Sequence, residues 1–238
     1  MTHGFTYIGS ALDIFTSAKN WKQYFARHIQ PYIRGDVLEV GAGIGSTTRI
    51  LCKGKEITSW ICLEPDGQLA GRINDSLHNA ALSVVPSVMT GIVNQLPSDC
   101  KFDSILYIDV LEHIENDTNE LLSAASHLRT NGMLIVLSPA YQMLYTPFDR
   151  VIGHFRRYDK ASLKAITPPN LKIKRLFYLD SVGLLASLGN HLILQSSMPT
   201  PKQVWLWDQL MVPLSRWIVD PILGYRIGKT VVAMWKQS

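Results

Sequence analysis

The stretch Asp36-Val-Leu-Glu-Val-Gly-Ala-Gly-Ile-Gly-Ser46 decides how the chain is expected to fold. Its first five residues form a short, mostly apolar run, and the glycines that follow it are typical of a tight turn. Residues 46–51 then have an apolar spacing that is compatible with a helix. The sequence therefore predicts a strand, a glycine turn and a helix in direct succession.

The same alternation continues along the chain. Further strands are predicted at residues 57–63, 82–85, 102–109, 133–138, 171–179 and 228–235, and helices at 17–29, 68–78 and 116–128. Strands that alternate with helices favour a parallel sheet covered on both faces. We expect one domain over residues 1–238, with its core at about 17–180 and 228–236.

Two segments depart from this alternation, and we expect them to form a cap on the domain at residues 139–160 and 181–224. Residues 141–158 are predicted to form a long loop, and such loops tend to carry function. The second segment is predicted to be helical, although Pro213 should kink or break it. One apolar face is predicted there, formed by Trp207, Leu210, Met211, Leu214, Trp217 and Ile218. This face could pack on the sheet, cover an apolar ligand pocket, rest on a membrane or contact a second subunit.

Composition excludes several classes of protein. The net charge of +4 comes from 23 basic and 19 acidic residues spread along the chain, which does not indicate nucleic-acid binding. The three cysteines have no C-x-x-C spacing, so neither a disulfide framework nor a cysteine zinc site is predicted, and no other metal site is assigned. No signal peptide and no run of about 20 apolar residues is found, and we expect a cytoplasmic protein, with peripheral membrane contact as the alternative.

Acidic residues beside the glycine turn narrow the range of ligands that the turn could bind. A glycine turn alone is weak evidence, because turns also need glycine for positive φ. Glu39 ends the first strand, where its charge would repel a diphosphate but attract the amino group of a methionine moiety; capping of nearby backbone N–H groups is the alternative. Ser46 stands where a dinucleotide fingerprint expects its third glycine, and Glu64 ends the second strand, where a carboxylate can accept bonds from ribose hydroxyls.

Three segments together resemble the ordered signatures of class I S-adenosylmethionine-dependent methyltransferases. They are Glu39-Val-Gly-Ala-Gly-Ile-Gly45, Glu64, and Phe102-Asp-Ser-Ile-Leu-Tyr-Ile-Asp-Val-Leu-Glu-His-Ile114. The resemblance covers roughly residues 20–180, and 228–235 resembles the last strand of the family. It implies an α/β, Rossmann-like, doubly wound sheet of seven strands with the last strand antiparallel and a helical insert before it. S-adenosylmethionine is the implied cofactor, bound over the carboxyl ends of the strands.

The resemblance also implies a set of cofactor contacts. Glu39 would lie at the methionine end of the cofactor, Glu64 at its ribose, and residues 90–92 beside its adenine, although 87–93 departs from the frequent glycine-aspartate form. The full set is Glu39, Gly41, Ala42, Gly43, Gly45, Glu64, Pro65, Thr90, Gly91, Ile92, Asp109 and Val110.

Methyl transfer needs alignment of the acceptor more than it needs acid or base chemistry. An oxygen acceptor would benefit from a general base, and the candidate catalytic residues are Asp109, His113 and His154. For His113 a structural hydrogen-bonding role is the main alternative.

The segment Gly153-His-Phe-Arg-Arg-Tyr158 resembles a subgroup of these enzymes that carries such a cluster after the fifth strand. The predicted acceptor contacts are Tyr145, His154, Arg156, Arg157 and Tyr158. Arginine and tyrosine donors could bind a phosphate or carboxylate. The alternative is an internal network of ion pairs among Arg156, Arg157, Asp149 and Asp159.

The resulting hypothesis is a methyltransferase whose acceptor is small or lipid-linked, such as a glycoside or an anionic metabolite. A homodimer is a further expectation. Two alternatives stay open at this point: an NAD(P)-binding oxidoreductase, and a partner subunit that binds the cofactor without catalysing transfer.

Overall fold

A computed structural model describes residues 15–189 and 200–238 of the chain. Seven strands form one sheet: β1 Gly35–Val40, β2 Ile57–Glu64, β3 Ser87–Thr90, β4 Phe102–Ile108, β5 Leu128–Pro139, β6 Leu171–Leu179 and β7 Thr230–Gln237. Their order across the sheet is β3-β2-β1-β4-β5-β7-β6. Strands β1 to β5 pair in parallel, whereas β7 lies antiparallel between β5 and β6. The predicted fold class is confirmed, including the antiparallel last strand.

Helices cover both faces of this sheet. They are α1 Lys19–Ile29, α2 Thr48–Leu51, α3 Gly67–Leu77, α4 Asp117–Ser126, α5 Pro147–Val151, α6 Lys160–Ala165, α7 Ser181–Gly189 and a continuous helical stretch, α8, over 201–223. Alternate residues of a strand point to opposite faces. In β4, Ile105 and Tyr107 therefore enter the apolar layer that contains Leu121 of α4, whereas Leu106 enters the layer that contains Phe25 of α1.

The third strand lies five residues later than predicted, because β3 covers Ser87–Thr90 rather than 82–85. The backbone N–H of Ser83 donates to the carbonyl of Cys52, and Val85 is almost fully exposed. Leu82 and Val84 still pack on the core, which explains why their apolar pattern looked like a strand. Pro86 separates this loop from β3, and a proline is acceptable at the start of an edge strand.

The segment after β5 is more ordered than a loop. Tyr141 has a left-handed backbone with φ of 63°, which a bulky residue rarely adopts, and its ring stacks on that of Tyr178 at 5.1 Å. The backbone N–H of Tyr141 donates to the carbonyl of Tyr158 at 2.8 Å. Helix α5 lies inside the predicted loop, and helix α6 follows directly after it. Neither helix was predicted.

The helical insert buries a side that differs from most of its predicted apolar face. Helix α8 continues through Pro213, because π-helical turns at Trp207–Met211 and Ser215–Val219 flank the proline. Of the predicted apolar face, Trp207 packs inward, but Leu210, Leu214, Trp217 and Ile218 are exposed. The side that is buried instead consists of Val204, Asp208, Val212, Ser215 and Asp220.

Hydrogen bonds explain why polar residues of α8 face inward. Asp208 accepts from the backbone N–H of Trp21, at the start of α1, and so supplies the negative group that a helix N-terminus favours. Asp220 accepts from the hydroxyl of Tyr24 at 2.6 Å and from the backbone N–H of Asp180 at 2.7 Å. These bonds fix α8 across α1 and the end of β6. Among the described residues, no helix has the length and apolar character needed to cross a membrane.

Candidate cofactor and acceptor site

The glycine loop after β1 forms the floor of the candidate cofactor site. Gly41, Gly43 and Gly45 all have positive φ, at 66°, 57° and 78°. The backbone N–H of Gly41 donates to the carbonyl of Leu63 in β2 at 2.7 Å, so the loop is tied to the neighbouring strand. A Cβ on Gly41 would lie 2.6 Å from a methyl carbon of Val110, which leaves room for glycine alone.

Glu64 holds the same loop from the end of β2. Its Oε2 accepts from the backbone N–H of Gly43 at 2.7 Å, and its Oε1 accepts from the backbone N–H of Asp66 at 3.0 Å. Burial raises the pKa of Glu64, against the lowering effect of these two bonds. A carboxylate has about four lone-pair positions. It can therefore accept bonds from a ligand while it keeps both backbone partners.

Glu39 is buried on the other side of the loop. Its Oε2 accepts from the hydroxyl of Thr48 at 2.6 Å and from the indole N–H of Trp60 at 3.0 Å. Burial raises the pKa of Glu39 to about 7, and the charge of the nearby Glu64 adds to this effect. The two carboxylates therefore repel each other, and a bound cation would favour the ionised form of both.

The remaining predicted cofactor residues lie at the ends of neighbouring strands. Thr90 is the last residue of β3, and the backbone N–H of Gly91 donates to the carbonyl of Glu64 at 3.1 Å. Ile92 donates its backbone N–H to the side chain of Gln95. Val110 packs against Gly41, while Ala42 and Pro65 follow the ends of β1 and β2 in the chain. The sheet thus brings the predicted cofactor residues to one edge.

Asp109 follows β4 at this edge. It has a left-handed backbone with φ of 56°, and its backbone N–H donates to the carbonyl of Leu137. The residue as a whole is exposed to solvent, but protein atoms surround its carboxyl group closely enough to desolvate it. This environment raises the pKa of Asp109 to about 7, against the attraction of Lys229 and Lys22. A carboxyl group that titrates near neutral pH suits proton transfer.

Two lysines flank Asp109, and neither was singled out from the sequence. Lys22 lies on α1, and burial lowers its pKa to about 8 despite the opposing charges of Asp109 and Asp208. Lys229 precedes β7, its Nζ lies 4.5 Å from the centre of the Trp207 ring, and burial lowers its pKa as well. Two ammonium groups from separate parts of the chain therefore act electrostatically on Asp109, and that of Lys22 also donates to the backbone carbonyls of Phe15 and Thr16.

Behind Asp109, the two candidate histidines lie together. The rings of His113 and His154 meet edge to face, with centres 4.5 Å apart. Burial lowers the pKa of His113 to about 4, and the neighbouring His154 adds to this effect, so His113 is neutral at physiological pH. Glu112 is fully buried and accepts from the hydroxyl of Ser138 at 2.9 Å. Its burial raises the pKa of Glu112 well above the usual range, and the charge of Asp109 does so further.

Most of the predicted acceptor contacts have partners inside the protein. Arg156 pairs with Asp117 at 2.7 Å, and Tyr158 is buried with its hydroxyl bonded to the same carboxylate at 2.8 Å. Arg157 binds Asp149 through two nitrogens, each at 2.8 Å. These contacts favour the alternative of an internal ion-pair network, with Asp117 in place of Asp159.

Asp159 instead caps α6 by accepting from the backbone N–H of Ser162. The hydroxyl of Tyr145 donates to the backbone carbonyl of His154 at 2.5 Å. Direct contact of Tyr145, Arg156, Arg157 and Tyr158 with an acceptor stays a prediction.

Comparison with known proteins decides the family. Residues 16–167 match the family described as a methyltransferase domain, which is more than half of the chain. The chain belongs to the class I S-adenosylmethionine-dependent methyltransferases. The family match covers the glycine loop, both flanking glutamates and the whole of the segment from Asp109 to Tyr158.

Similar proteins of known sequence or structure agree with this assignment. The chain is 26% identical over 110 residues to a protein from Rickettsia felis named ubiquinone biosynthesis O-methyltransferase; the match covers 46% of this chain and 43% of that protein. The chain thus matches less than half the length of this curated relative. The N-methyltransferase NodS from Bradyrhizobium japonicum WM9, solved with S-adenosyl-L-homocysteine, has a TM-score of 0.58 at 12% identity and covers 93% of this chain and 88% of its own.

The fold alone does not fix the reaction. The [4+2]-cyclase SpnF also has this fold, with a TM-score of 0.57 at 12% identity over 97% of this methyltransferase and 94% of the cyclase. The acceptor chemistry must therefore be argued from the residues of the site.

The residues that the sequence did not reveal are Lys22, Lys229 and Glu112. The two lysines act on Asp109 from elements that are distant from it in sequence. A pairing such as Lys22 with Asp109 has no local spacing signal. Only Glu112 could have been found from the sequence, since a buried strand followed by Asp-Val-Leu-Glu-His places its charge beside the strand end.

Proposed function

We propose that this methyltransferase transfers a methyl group from S-adenosylmethionine to a hydroxyl oxygen of a small or lipid-linked acceptor that carries negative charge. The observation that carries the proposal is the position of Asp109. Asp109 follows β4 next to Val110, which packs against Gly41 of the glycine loop. Burial raises the pKa of its carboxyl group to about 7, and the charges of Lys229 and Lys22 act on the same group.

The cofactor half of the proposal depends on charge. When bound, S-adenosylmethionine supplies a methyl group activated by its positively charged sulfur. Glu39 and Glu64 give the loop a negative potential, and the buried position of Glu39 strengthens its attraction for a cationic amino group. Glu64 positions Gly43 through its backbone bond and keeps free lone pairs for hydroxyl groups of the ligand.

The acceptor half depends on Asp109 and its neighbours. An ionised Asp109 would take the proton from a hydroxyl as its oxygen gains the methyl group, and the donor would leave as S-adenosylhomocysteine when its carbon–sulfur bond breaks. Lys22 and Lys229 would attract an anionic acceptor and stabilise negative charge that develops on the oxygen. The Rickettsia relatives are named as O-methyltransferases, which favours oxygen as the methylated atom.

Replacement of Asp109 tests this role. In Asp109→Asn the side chain keeps its size but cannot accept a proton, and we expect the rate of methyl transfer to fall by about 10²–10⁴-fold. The acceptor is first identified by incubating the protein with isotope-labelled S-adenosylmethionine and small-molecule and lipid extracts, followed by mass spectrometry of labelled products. The rate is then measured on that acceptor for both proteins.

The pH dependence of kcat/KM has a defined sign. Asp109 accepts a proton only when ionised, so the value should rise with pH through about 7. Lys22 loses its charge above about pH 8, so binding of an anionic acceptor should weaken there and the profile should be bell-shaped. In Asp109→Asn, the rise of kcat/KM near pH 7 should be absent. An unchanged rate in this variant, or a loss of cofactor affinity as large as the loss of rate, would contradict a role as base.

Peripheral membrane contact and a homodimer stay predictions. The feature that favours them is the outer side of α8, where Trp205, Leu210, Trp217 and Ile222 are largely exposed among the described residues. Arg27 and Arg216 both stack on the Trp217 ring, so this apolar surface has positive charge at its border. A non-catalytic partner subunit is the remaining alternative, and the labelling experiment decides against it if product forms.

A further inference from the structure

Three potential metal ligands converge behind Asp109, outside the groups used in the proposed transfer. One ligand atom each from Glu112, His113 and His154 lies within 4.8 Å of the other two. Glu112 and His113 follow β4, whereas His154 comes from the segment after α5, about 40 positions further along the chain. Glu112 is fully buried and His154 nearly so.

A buried carboxylate oxygen in this cluster lacks a partner. Within residues 15–189 and 200–238, Oε1 of Glu112 has no hydrogen-bond partner, and it lies 3.9 Å from Nε2 of His154. A shared proton cannot bridge this distance, because hydrogen bonds require about 2.7–3.2 Å between heavy atoms. A buried carboxyl oxygen without a partner is costly, and a cation between it and the facing imidazole nitrogen would remove that cost.

Hydrogen bonds on the far side of each imidazole turn the rings towards that point. Nδ1 of His154 lies 2.9 Å from Oδ1 of Asp149, and this carboxylate is kept ionised by Arg157. The bond places the proton on Nδ1 and leaves the lone pair of Nε2 directed at Glu112. His113 is hydrogen-bonded to the backbone of Gly153. Metal-binding histidines typically have this kind of carboxylate or backbone partner on their second nitrogen.

We propose that Glu112, His113 and His154 bind a divalent transition-metal ion, with Zn²⁺ as the best match. Two imidazoles and one carboxylate suit zinc and related ions, whereas Mg²⁺ and Ca²⁺ prefer ligand sets made of oxygen. A bound cation would favour the carboxylate form of Glu112 and accept a lone pair from each imidazole. The ion connects the end of β4 to the segment that carries His154.

Typical zinc coordination distances predict how far the ligand atoms of Glu112 and His154 must move when the ion binds. Bonds of about 2.0–2.2 Å place tetrahedral ligands about 3.2–3.6 Å apart. The separation of 3.9 Å between Glu112 and His154 must therefore contract by a few tenths of an ångström, which side-chain rotation can supply. A fourth position is left for water or another oxygen ligand.

The test is equilibrium dialysis of the untagged, EDTA-treated protein against Zn²⁺, with the metal content measured by mass spectrometry. We expect one zinc per chain. Glu112→Gln, His154→Gln and, through the loss of its support, Asp149→Asn should each weaken binding by about 10–100-fold or more. Zinc at about 100 times Kd should raise the Tm of the wild-type protein by about 5–10 °C. Mg²⁺ should do neither.

Matched controls are available for both residue types. Glu120 is also buried and bonded to the hydroxyl of Tyr107, and His127 is buried against the carbonyl of Cys100. Glu120→Gln and His127→Gln should keep full zinc binding. X-ray absorption of the wild-type zinc complex covers the case in which a cluster variant does not fold, and it should show two imidazoles with oxygen ligands. No bound zinc, sulfur ligands from Cys52, Cys62 or Cys100, or zinc retained by the cluster variants would overturn the proposal.

Discussion

Gly41→Ala is expected to lower the free energy of unfolding by about 2–5 kcal/mol and the affinity for S-adenosylmethionine by at least about tenfold. The left-handed backbone at this position costs a non-glycine residue about 1–2 kcal/mol. The new methyl group would also lie 2.6 Å from Val110, and such overpacking costs about 1–3 kcal/mol. The loop must shift to relieve this contact, and the shift moves the backbone on which the cofactor rests. Urea unfolding and calorimetry measure the two effects.

Two further variants distinguish the cost of the left-handed backbone from the cost of the steric clash with Val110. Gly71 lies in α3 and has no atom within 4 Å of an added Cβ, so Gly71→Ala should be neutral or stabilise the protein by up to about 1 kcal/mol. Adding Val110→Ala to Gly41→Ala should recover the part of the loss caused by the collision, although not the part caused by the backbone. A Gly41→Ala protein with unchanged stability and cofactor affinity would show that the loop does not have this conformation.

Asp149→Ala is expected to cost about 3–5 kcal/mol of stability, because it leaves a buried arginine without its counter-charge. Although burial alone would raise the pKa of Asp149, its bonds to His154 and Arg157 hold that pKa well below the usual range. A carboxyl group with a depressed pKa contributes stability above its unfolded pKa and loses it as the pH falls. The wild-type protein should therefore lose this contribution progressively below about pH 4, whereas the variant should lack it at all pH values.

A surface ion pair provides the comparison. Arg129 binds Asp36 and Asp103, but its side chain is 43% exposed. Arg129→Ala should cost no more than about 1 kcal/mol, because solvent screens such pairs. Urea unfolding of both variants between pH 3 and 7 makes the comparison. Equal losses in the two variants would mean that Asp149 does not organise the segment between Thr146 and Arg157.

The sequence predicted the elements with strong apolar periodicity. Strands β1, β2, β4 and β6 lie within one residue of their predicted bounds at each end. The first three are largely buried, whereas β6 is buried mainly at its two ends. Strand β3 was misplaced because its own residues are largely exposed, so the more apolar loop before it gave the stronger signal. An edge strand needs backbone pairing more than apolar side chains, and pairing leaves no local pattern.

Helix α8 shows a second limit. Its core-facing side contains Asp208, Ser215 and Asp220, whose bonds to α1, to Asp180 and to the start of α7 make burial favourable. Hydrophobic periodicity assigns such residues to the solvent side, so it selected the opposite face. Cofactor residues were easier to predict, because the glycine loop and its two glutamates follow strand ends in a local and ordered pattern.

The acceptor side was the least predictable part of the site. His154, Arg156, Arg157 and Tyr158 were found as a cluster, but their partners Asp149, Asp117 and Glu112 decide what they can do. Arg156 meets Asp117 from 39 residues away. Pairings at this range depend on the whole fold, so a single sequence does not reveal them.

The central claim is that Glu39, Glu64 and the glycine loop bind a positively charged sulfur nucleoside. Calorimetric titration of the wild-type protein and of Glu64→Ala with S-adenosylmethionine tests it most directly. We expect one binding site, weakened in the variant by about 1–3 kcal/mol, because the hydroxyl groups of the ligand lose their acceptor and the N–H group of Gly43 no longer holds the loop in place. Equal affinity in the two proteins, or binding of NAD without binding of S-adenosylmethionine, would contradict the account.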